Sequence, residues 1–155
     1  RAEEQQRLIH EMGLGVKFQL GTYEPERFFA LAKGHEAEPE GGERCFKCYR
    51  LRLEEAARAA KAGGFSYFTT TLSISPHKNA QVLNELGKEI SDTFGVPYLY
   101  SDFKKKNGYR RSCELSTEYH LYRQDYCGCP FSKAEAEERK RRVQACATHT
   151  KERKS

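Results

Sequence analysis

Apolar positions along this chain recur every three or four residues in some stretches and alternate in others, and the two rhythms follow one another. The opening segment through Met12 has helical spacing, and Gly13 and Gly15 stop it before Val16-Lys-Phe-Gln-Leu20, whose alternation predicts a strand. A short helix is predicted from Pro25 to Ala32, then a polar loop from Gly34 to Gly42. From about Cys45 to Ala62 the chain is rich in Leu, Ala, Arg and Glu, which predicts a helix that Gly63-Gly64 ends. Phe65 to Leu72 is aromatic and β-branched, as in a buried strand. Ser75-Pro76 reads as N-cap and first residue of a helix running to about Phe94, and Val96-Pro-Tyr-Leu-Tyr100 as another strand. Beyond the polar, basic stretch Asp102 to Arg111, a helix is predicted from about Ser112 to Tyr119. Ser132 with Glu135 makes a capping box for a last helix reaching about Ala145, and Thr148 to Ser155 reads as a disordered tail.

Strands separated by helices imply a parallel sheet with right-handed crossovers. The expected fold is therefore α/β: a Rossmann-like three-layer arrangement with a short, mostly parallel sheet, in one catalytic domain over residues 1–147. The length of 155 residues suits a single core. The chain opens directly on a charged helix, with no initiator Met and no preceding strand, whereas parallel α/β units begin with the central strand. An N-terminal strand is expected to be missing.

No apolar run approaches twenty residues and no signal-peptide core is present, so the expectation is a cytoplasmic protein with no membrane span. In that compartment thiols are kept reduced, and six cysteines read as ligands or catalytic thiols rather than a disulfide framework. The net charge of +5 is modest, but Lys104-Lys-Lys106, Arg110-Arg111 and Arg139-Lys-Arg-Arg142 are clustered. Such patches bind phosphates, and equally serve as solvated surface.

Four of the cysteines form close pairs. Cys45 and Cys48, at i and i+3 near a helix start, can face one metal centre, with the helix N-terminus and Arg44 favouring thiolates. That spacing is shared by zinc sites, iron–sulfur sites and thioredoxin-like dithiols. Cys127-Gly128-Cys129 is of another kind. A disulfide across one residue closes a tight ring, Gly128 supplies the backbone freedom, and strained accessible disulfides are the labile, catalytic ones. The alternative is a four-thiolate zinc site made by both pairs. Cys113 and Cys146 have no close partners and read as packed or surface thiols.

Asp102, at the end of a predicted strand, lies where ligands bind in parallel sheets and is a candidate catalytic acid or ligand, or simply a cap. Ser75-Pro-His-Lys78 is a candidate anion site at a helix N-terminus, with Lys78 adding charge. His10, His35, His77, His120 and His149 read as ordinary surface or packing residues.

Four ordered strings then agree with one family: Gly-Gly-Glu-Arg-Cys-x-x-Cys-Tyr-x-Leu-Arg-Leu at 41–53, Thr-Thr-Thr-Leu-x-Ile-Ser-Pro-x-Lys-Asn at 69–79, Asp-Phe-Lys-Lys at 102–105 and Leu-Tyr-Arg-Gln-x-Tyr-Cys-Gly-Cys-x-Phe-Ser at 121–132. Together they resemble the QueH-type epoxyqueuosine reductases over most of the chain up to about Ser132. The resemblance implies a cobalamin-independent oxidoreductase for the last step of queuosine biosynthesis, reducing epoxyqueuosine in the tRNA anticodon to queuosine. It implies a [4Fe–4S] cluster with Cys45 and Cys48 as ligands, two further ligands from an N-terminal Cys-Cys motif absent from this chain, and Cys127 and Cys129 as the redox-active pair. Its expected partners are tRNA carrying epoxyqueuosine and an outside electron donor. In that setting Asp102 and Tyr126 are candidate acids or orienting groups, and Lys78, Lys104, Lys105, Arg110 and Arg111 candidate phosphate contacts. The rival readings are a zinc-stabilised RNA-binding module and a thiol–disulfide oxidoreductase acting on proteins.

Overall fold

The computed structural model describes the backbone of residues 1–152 and the side chains of 1–144. Its elements are helices α1 (Ala2–Glu11), α2 (Pro25–Ala32) and α3 (Glu43–Ala62), a 3₁₀ turn (Thr71–Ile74), and helices α4 (Ala80–Phe94), α5 (Gly108–Glu118) and α6 (Pro130–Glu152). The chain divides into two compact units, Arg1–Tyr122 and Arg123–Ser155.

In the first unit, α3 and α4 supply most of the core. Cys45, Tyr49, Leu53, Ala57 and Ala60 stand at intervals of three and four along α3, so one stripe of that helix is buried. Leu83, Gly87 and Ile90 form the matching stripe of α4. Phe68, Val96 and Tyr98 complete the cluster, with the Phe68 and Tyr98 rings edge-on at 5.2 Å between centroids. Burying each of Leu53, Leu83 and Ile90 stabilises the fold by about 1.5–3 kcal/mol. By contrast α1 buries nothing. It is tied to the end of α5 by polar contacts: Arg7 donates to the carbonyl of Tyr119 at 3.0 Å, and Glu4 accepts the N–H of Tyr122 at 3.0 Å.

The α/β expectation is overturned: the unit is helical and has no sheet. Among the described residues, β pairing is limited to an isolated parallel bridge between Phe68 and Tyr98, closed by Phe68 N–H to Pro97 O (3.1 Å) and Leu99 N–H to Phe68 O (2.9 Å). The predicted strand at 65–72 instead runs into the 3₁₀ turn, where Thr70 Oγ1 accepts the N–H of Leu72 at 3.2 Å. Val16–Leu20 pairs with nothing regular, and Leu20 is 71% exposed. Aromatic and β-branched residues signal fit to a buried, extended surface; they do not by themselves supply a neighbouring strand.

Helix boundaries shift where caps differ from those expected. Asn79, not Ser75, caps α4, its Oδ1 accepting from Gln81 and Val82 N–H at 3.0 and 3.2 Å. Helix α6 starts at Pro130, which places Ser132 inside its first turn, and it runs through Glu152. The tail residues 153–155 lie outside the described residues, as do the side chains of Cys146 and His149.

Gly87 is where α4 admits Tyr98. A Cβ there would stand 2.5 Å from the Tyr98 ring, a backbone-anchored aromatic rather than a flexible tip. Gly87→Ala is expected to destabilise the chain by about 1–3 kcal/mol in urea unfolding, because the ring and α4 must separate.

Candidate active site

The first cysteine pair lies where a tightly braced loop enters α3. Cys45 is the third residue of the helix and buried; Cys48 follows one turn later and is partly exposed. The N–H of Gly41 donates to Cys45 Sγ at 3.3 Å, so the sulfur already receives a backbone donor beside the positive end of a helix. Gly41 sits at φ +100°, a left-handed value that glycine adopts without strain.

Arg44 holds this loop. Its side chain is 2% exposed, and Nη1 donates to the carbonyls of His35 (3.2 Å) and Glu36 (2.8 Å), while its own N–H donates to Glu38 Oε2 at 2.9 Å. His35 Nδ1 lies 2.5 Å from Glu38 Oε1 and Nε2 lies 2.7 Å from Lys47 Nζ, so the ring donates to one and accepts from the other. The contact with His35, then the Arg44 N–H, holds Glu38 below the usual carboxylate range. Lys78 braces the same loop: it is buried, with Nζ 2.5 Å from Glu40 Oε1 and 5.9 Å above the Tyr49 ring. Lys78 thus stands just before the Asn79 cap of α4 with its charge turned into an internal ion pair rather than towards solvent. Nothing in the residue spacing identified His35, whose partners come from a loop fold rather than a helical period.

The second pair belongs to the other unit. Gly128 takes φ +114°, which turns the chain sharply between Cys127 and Cys129. Cys129 directly precedes α6, and its carbonyl accepts the Lys133 N–H at 3.1 Å. Its Sγ accepts the N–H of Ser132 at 3.4 Å, and Ser132 Oγ accepts the N–H of Cys127 at 2.7 Å. Both thiols are free and partly buried, whereas Ser132 is 2% exposed. Tyr126 is half-buried, and its carbonyl accepts from Gln124 at 2.7 Å. Asp125 is kept below its ordinary range by Lys140, 2.7 Å away.

Asp102 lies between two fixed neighbours. Asn84 from α4 grips Ser101 twice, donating to its carbonyl and accepting its N–H, both at 3.1 Å. Ser73 Oγ, fully buried, accepts the N–H of Phe103 at 3.2 Å. The Asp102 carboxylate contacts Lys104 Nζ at 3.0 Å and Lys105 Nζ at 3.6 Å, and Lys104, the stronger influence, lowers its pKa. Asp102 is thus a carboxylate at neutral pH, suited to accepting hydrogen bonds or binding a cation. It borders an open cleft of about 380 Å³ with Gln81, Asn84, Lys88, Tyr100 and Lys105.

That depressed pKa has a sign-definite consequence. The stabilisation is fully present above the unfolded-state pKa of about 3.9 and is lost as pH falls through the lower folded value. In denaturant titrations the stability gap between the chain and Asp102→Asn is expected to be constant above about pH 5 and to close below about pH 4. A gap unchanged down to pH 2.5 would contradict the ion pair.

The basic candidates separate by exposure. Lys105 is 78% exposed, and Arg110 and Arg111, on the first turn of α5, are 77% and 58% exposed and share Glu114. Lys104 is instead partly buried, donating to the carbonyls of Ser73 and Lys78 at 3.4 and 3.2 Å. The turn that delivers α5 requires Gly108, where a Cβ would meet the Phe103 carbonyl oxygen at 1.8 Å.

Cys45 and Cys48, one turn apart with a backbone donor to one sulfur, are donors of the kind an iron–sulfur cluster takes. Among the described residues no three His, Cys, Asp or Glu side chains are grouped to hold a metal ion. Among the described residues no helix is long and apolar enough to cross a membrane.

A family model described as "Epoxyqueuosine reductase QueH" matches residues 1–135. Proteins carrying the same name are similar to the chain. That of Staphylococcus epidermidis is 44% identical over 138 residues, covering 85% of this chain and 58% of the relative. That of Streptococcus pyogenes serotype M1 is 47% identical over 120 residues, covering 77% and 47%. That of Thermotoga maritima is 34% identical over 140 residues, covering 90% and 73%. The chain thus spans about half to three-fifths of the length of the first two relatives.

Proposed function

Because the chain belongs to the epoxyqueuosine reductase QueH family, we propose that it carries the thiol chemistry that converts epoxyqueuosine at the wobble position of a tRNA anticodon to queuosine, in the cytoplasm. The observation that supports this most directly is the Cys127-Gly128-Cys129 turn, two free thiols across one left-handed glycine at a helix start. Removing an epoxide oxygen requires two electrons and two protons. A dithiol holds both: the epoxide and two thiols become an alkene, water and one disulfide. No other reactant is consumed.

The remaining parts follow from their placement. Cys45 and Cys48 would hold two irons of a [4Fe–4S] cluster, whose other ligands would come from the Cys-Cys motif that the family resemblance implies. When bound, such a cluster supplies one-electron transfer from an outside donor. Arg44, His35, Glu38 and Lys78 keep fixed the loop that leads into the helix bearing these two cysteines. Asp102, held as a carboxylate, is better suited to orienting the substrate or binding a cation than to giving up a proton. The wobble nucleotide must leave its stack to reach a thiol, and exposed cations position the flanking phosphates without reading sequence.

Lys105, Arg110 and Arg111 are the exposed cations for that task. Replacing all three with Gln is expected to reduce the slope of log Kobs against log salt for tRNA binding by about 2, at roughly 0.7 per phosphate contact. Lys78→Met, at a buried pair, should lower stability and leave the slope unchanged.

The test of the function is an anaerobic assay of the full-length protein and of this chain side by side, on tRNA bearing epoxyqueuosine, with nucleosides read by mass spectrometry. Formation of queuosine by the full-length protein supports the reading. A colourless full-length protein holding one zinc and no activity would replace it with the RNA-binding module.

A further inference from the structure

The two thiols of the Cys127/Cys129 pair occupy unlike environments, and one residue makes the difference. Ser132 faces both: its N–H points at Cys129 Sγ (3.4 Å), and its hydroxyl oxygen accepts the N–H of Cys127 (2.7 Å). Ser132 is 2% exposed, so its hydroxyl meets Cys127 away from solvent. Pro130 fixes the chain after Cys129 into the first position of α6, leaving Cys129 Sγ at the positive end of that helix. Ser132 thus meets Cys129 at its sulfur and Cys127 at its backbone N–H.

We propose that Cys129, at the helix start with the residue-132 N–H on its sulfur, is the attacking thiol of this pair and Cys127 the resolving one, and that the Ser132 hydroxyl is the group that positions Cys127 for the second step. The assignment rests on the dithiol reading above and adds an order of events. Cys129 thiolate attacks an epoxide carbon: a C–S bond forms, the C–O bond breaks, and the alkoxide takes up one proton. Cys127, as thiolate, then attacks Cys129 sulfur. The S–S bond forms, the C–S electron pair becomes the C=C bond, and hydroxide leaves as water with the second proton. The two thiols have supplied both electrons and both protons. Anchoring the Cys127 backbone to Ser132 Oγ keeps the two sulfurs within one turn while Gly128 takes the rotation.

The assignment can be read without substrate. In the reduced full-length protein, iodoacetamide should alkylate Cys129 about tenfold faster than Cys127, followed by peptide mass spectrometry. Ser132→Ala retains the N–H to Cys129 and removes the hydroxyl. It should therefore leave Cys129 alkylation within twofold and slow closure of the Cys127–Cys129 disulfide by about tenfold when oxidised dithiothreitol is added. Ser132→Thr, which restores a hydroxyl, should recover closure, and circular dichroism of both variants checks the fold. With substrate tRNA, Cys127→Ser should accumulate an adduct on Cys129, while Cys129→Ser should form none on Cys127. Faster alkylation of Cys127, an adduct on Cys127, or unchanged closure in a folded Ser132→Ala protein would overturn the proposal. Absence of queuosine formation by the unaltered protein would instead remove the dithiol reading, with the alkylation order still measurable on its own.

Discussion

Cys129→Ser is expected to lower queuosine formation by roughly a thousandfold or more while tRNA affinity changes by less than about twofold. Residues that act as one chemical unit lose nearly all their effect when one is removed, so the loss is not shared between the thiols. Serine keeps the size and the acceptor for the Ser132 N–H, so the helix start is preserved and the missing property is the sulfur redox chemistry. The exposed cations proposed to meet phosphates are Lys105, Arg110 and Arg111, which this substitution leaves in place, so binding should survive. Equal turnover by Cys129→Ser would take the dithiol out of the reaction.

Cys45→Ser and Cys48→Ser are expected to reduce the iron and sulfide content of the reconstituted full-length protein to near zero. Hydroxyls are poor ligands for iron–sulfur clusters, whereas the paired cysteines of α3 offer soft sulfur donors one helical turn apart. Cys45 also belongs to the core, so its replacement should carry a stability cost that Cys48, being partly exposed, does not share. Cys113→Ser, a lone thiol on α5, serves as the control and should leave iron content unchanged. Full iron loading in both first-pair variants would remove Cys45 and Cys48 from the ligand set.

How much of this was legible in the residues depends on the range of the interaction. Helix α2 is found with the bounds expected, and α3 begins only two residues earlier, because apolar spacing and glycine stops are local signals. The cysteine pairs were visible for the same reason: each is a short spacing. The sheet was misread because Val16–Leu20, Phe65–Leu72 and Val96–Tyr100 carry strand-like side chains, while pairing is decided by neighbours far away in sequence, and only Phe68 and Tyr98 meet. Cap positions failed more narrowly. Ser75 and Ser132 are good cap residues, but Asn79 and Cys129 stand where the helices start. The braces were hidden for a third reason. Arg44 to His35 and Glu36, Lys78 to Glu40, and Asn84 to Ser101 join loops to helices across separations that no period encodes. In sequence each reads as one more polar or charged side chain among many.

The measurement that bears most directly on the dithiol is a donor-free single turnover. Fully reduced full-length protein is mixed with excess tRNA bearing epoxyqueuosine, quenched in acid, alkylated in denaturant once the pH is raised, and analysed for both queuosine and the thiol state of each cysteine. The account predicts one queuosine per protein, matched one for one by a disulfide between Cys127 and Cys129. Queuosine formed with both thiols still free and alkylatable would contradict it.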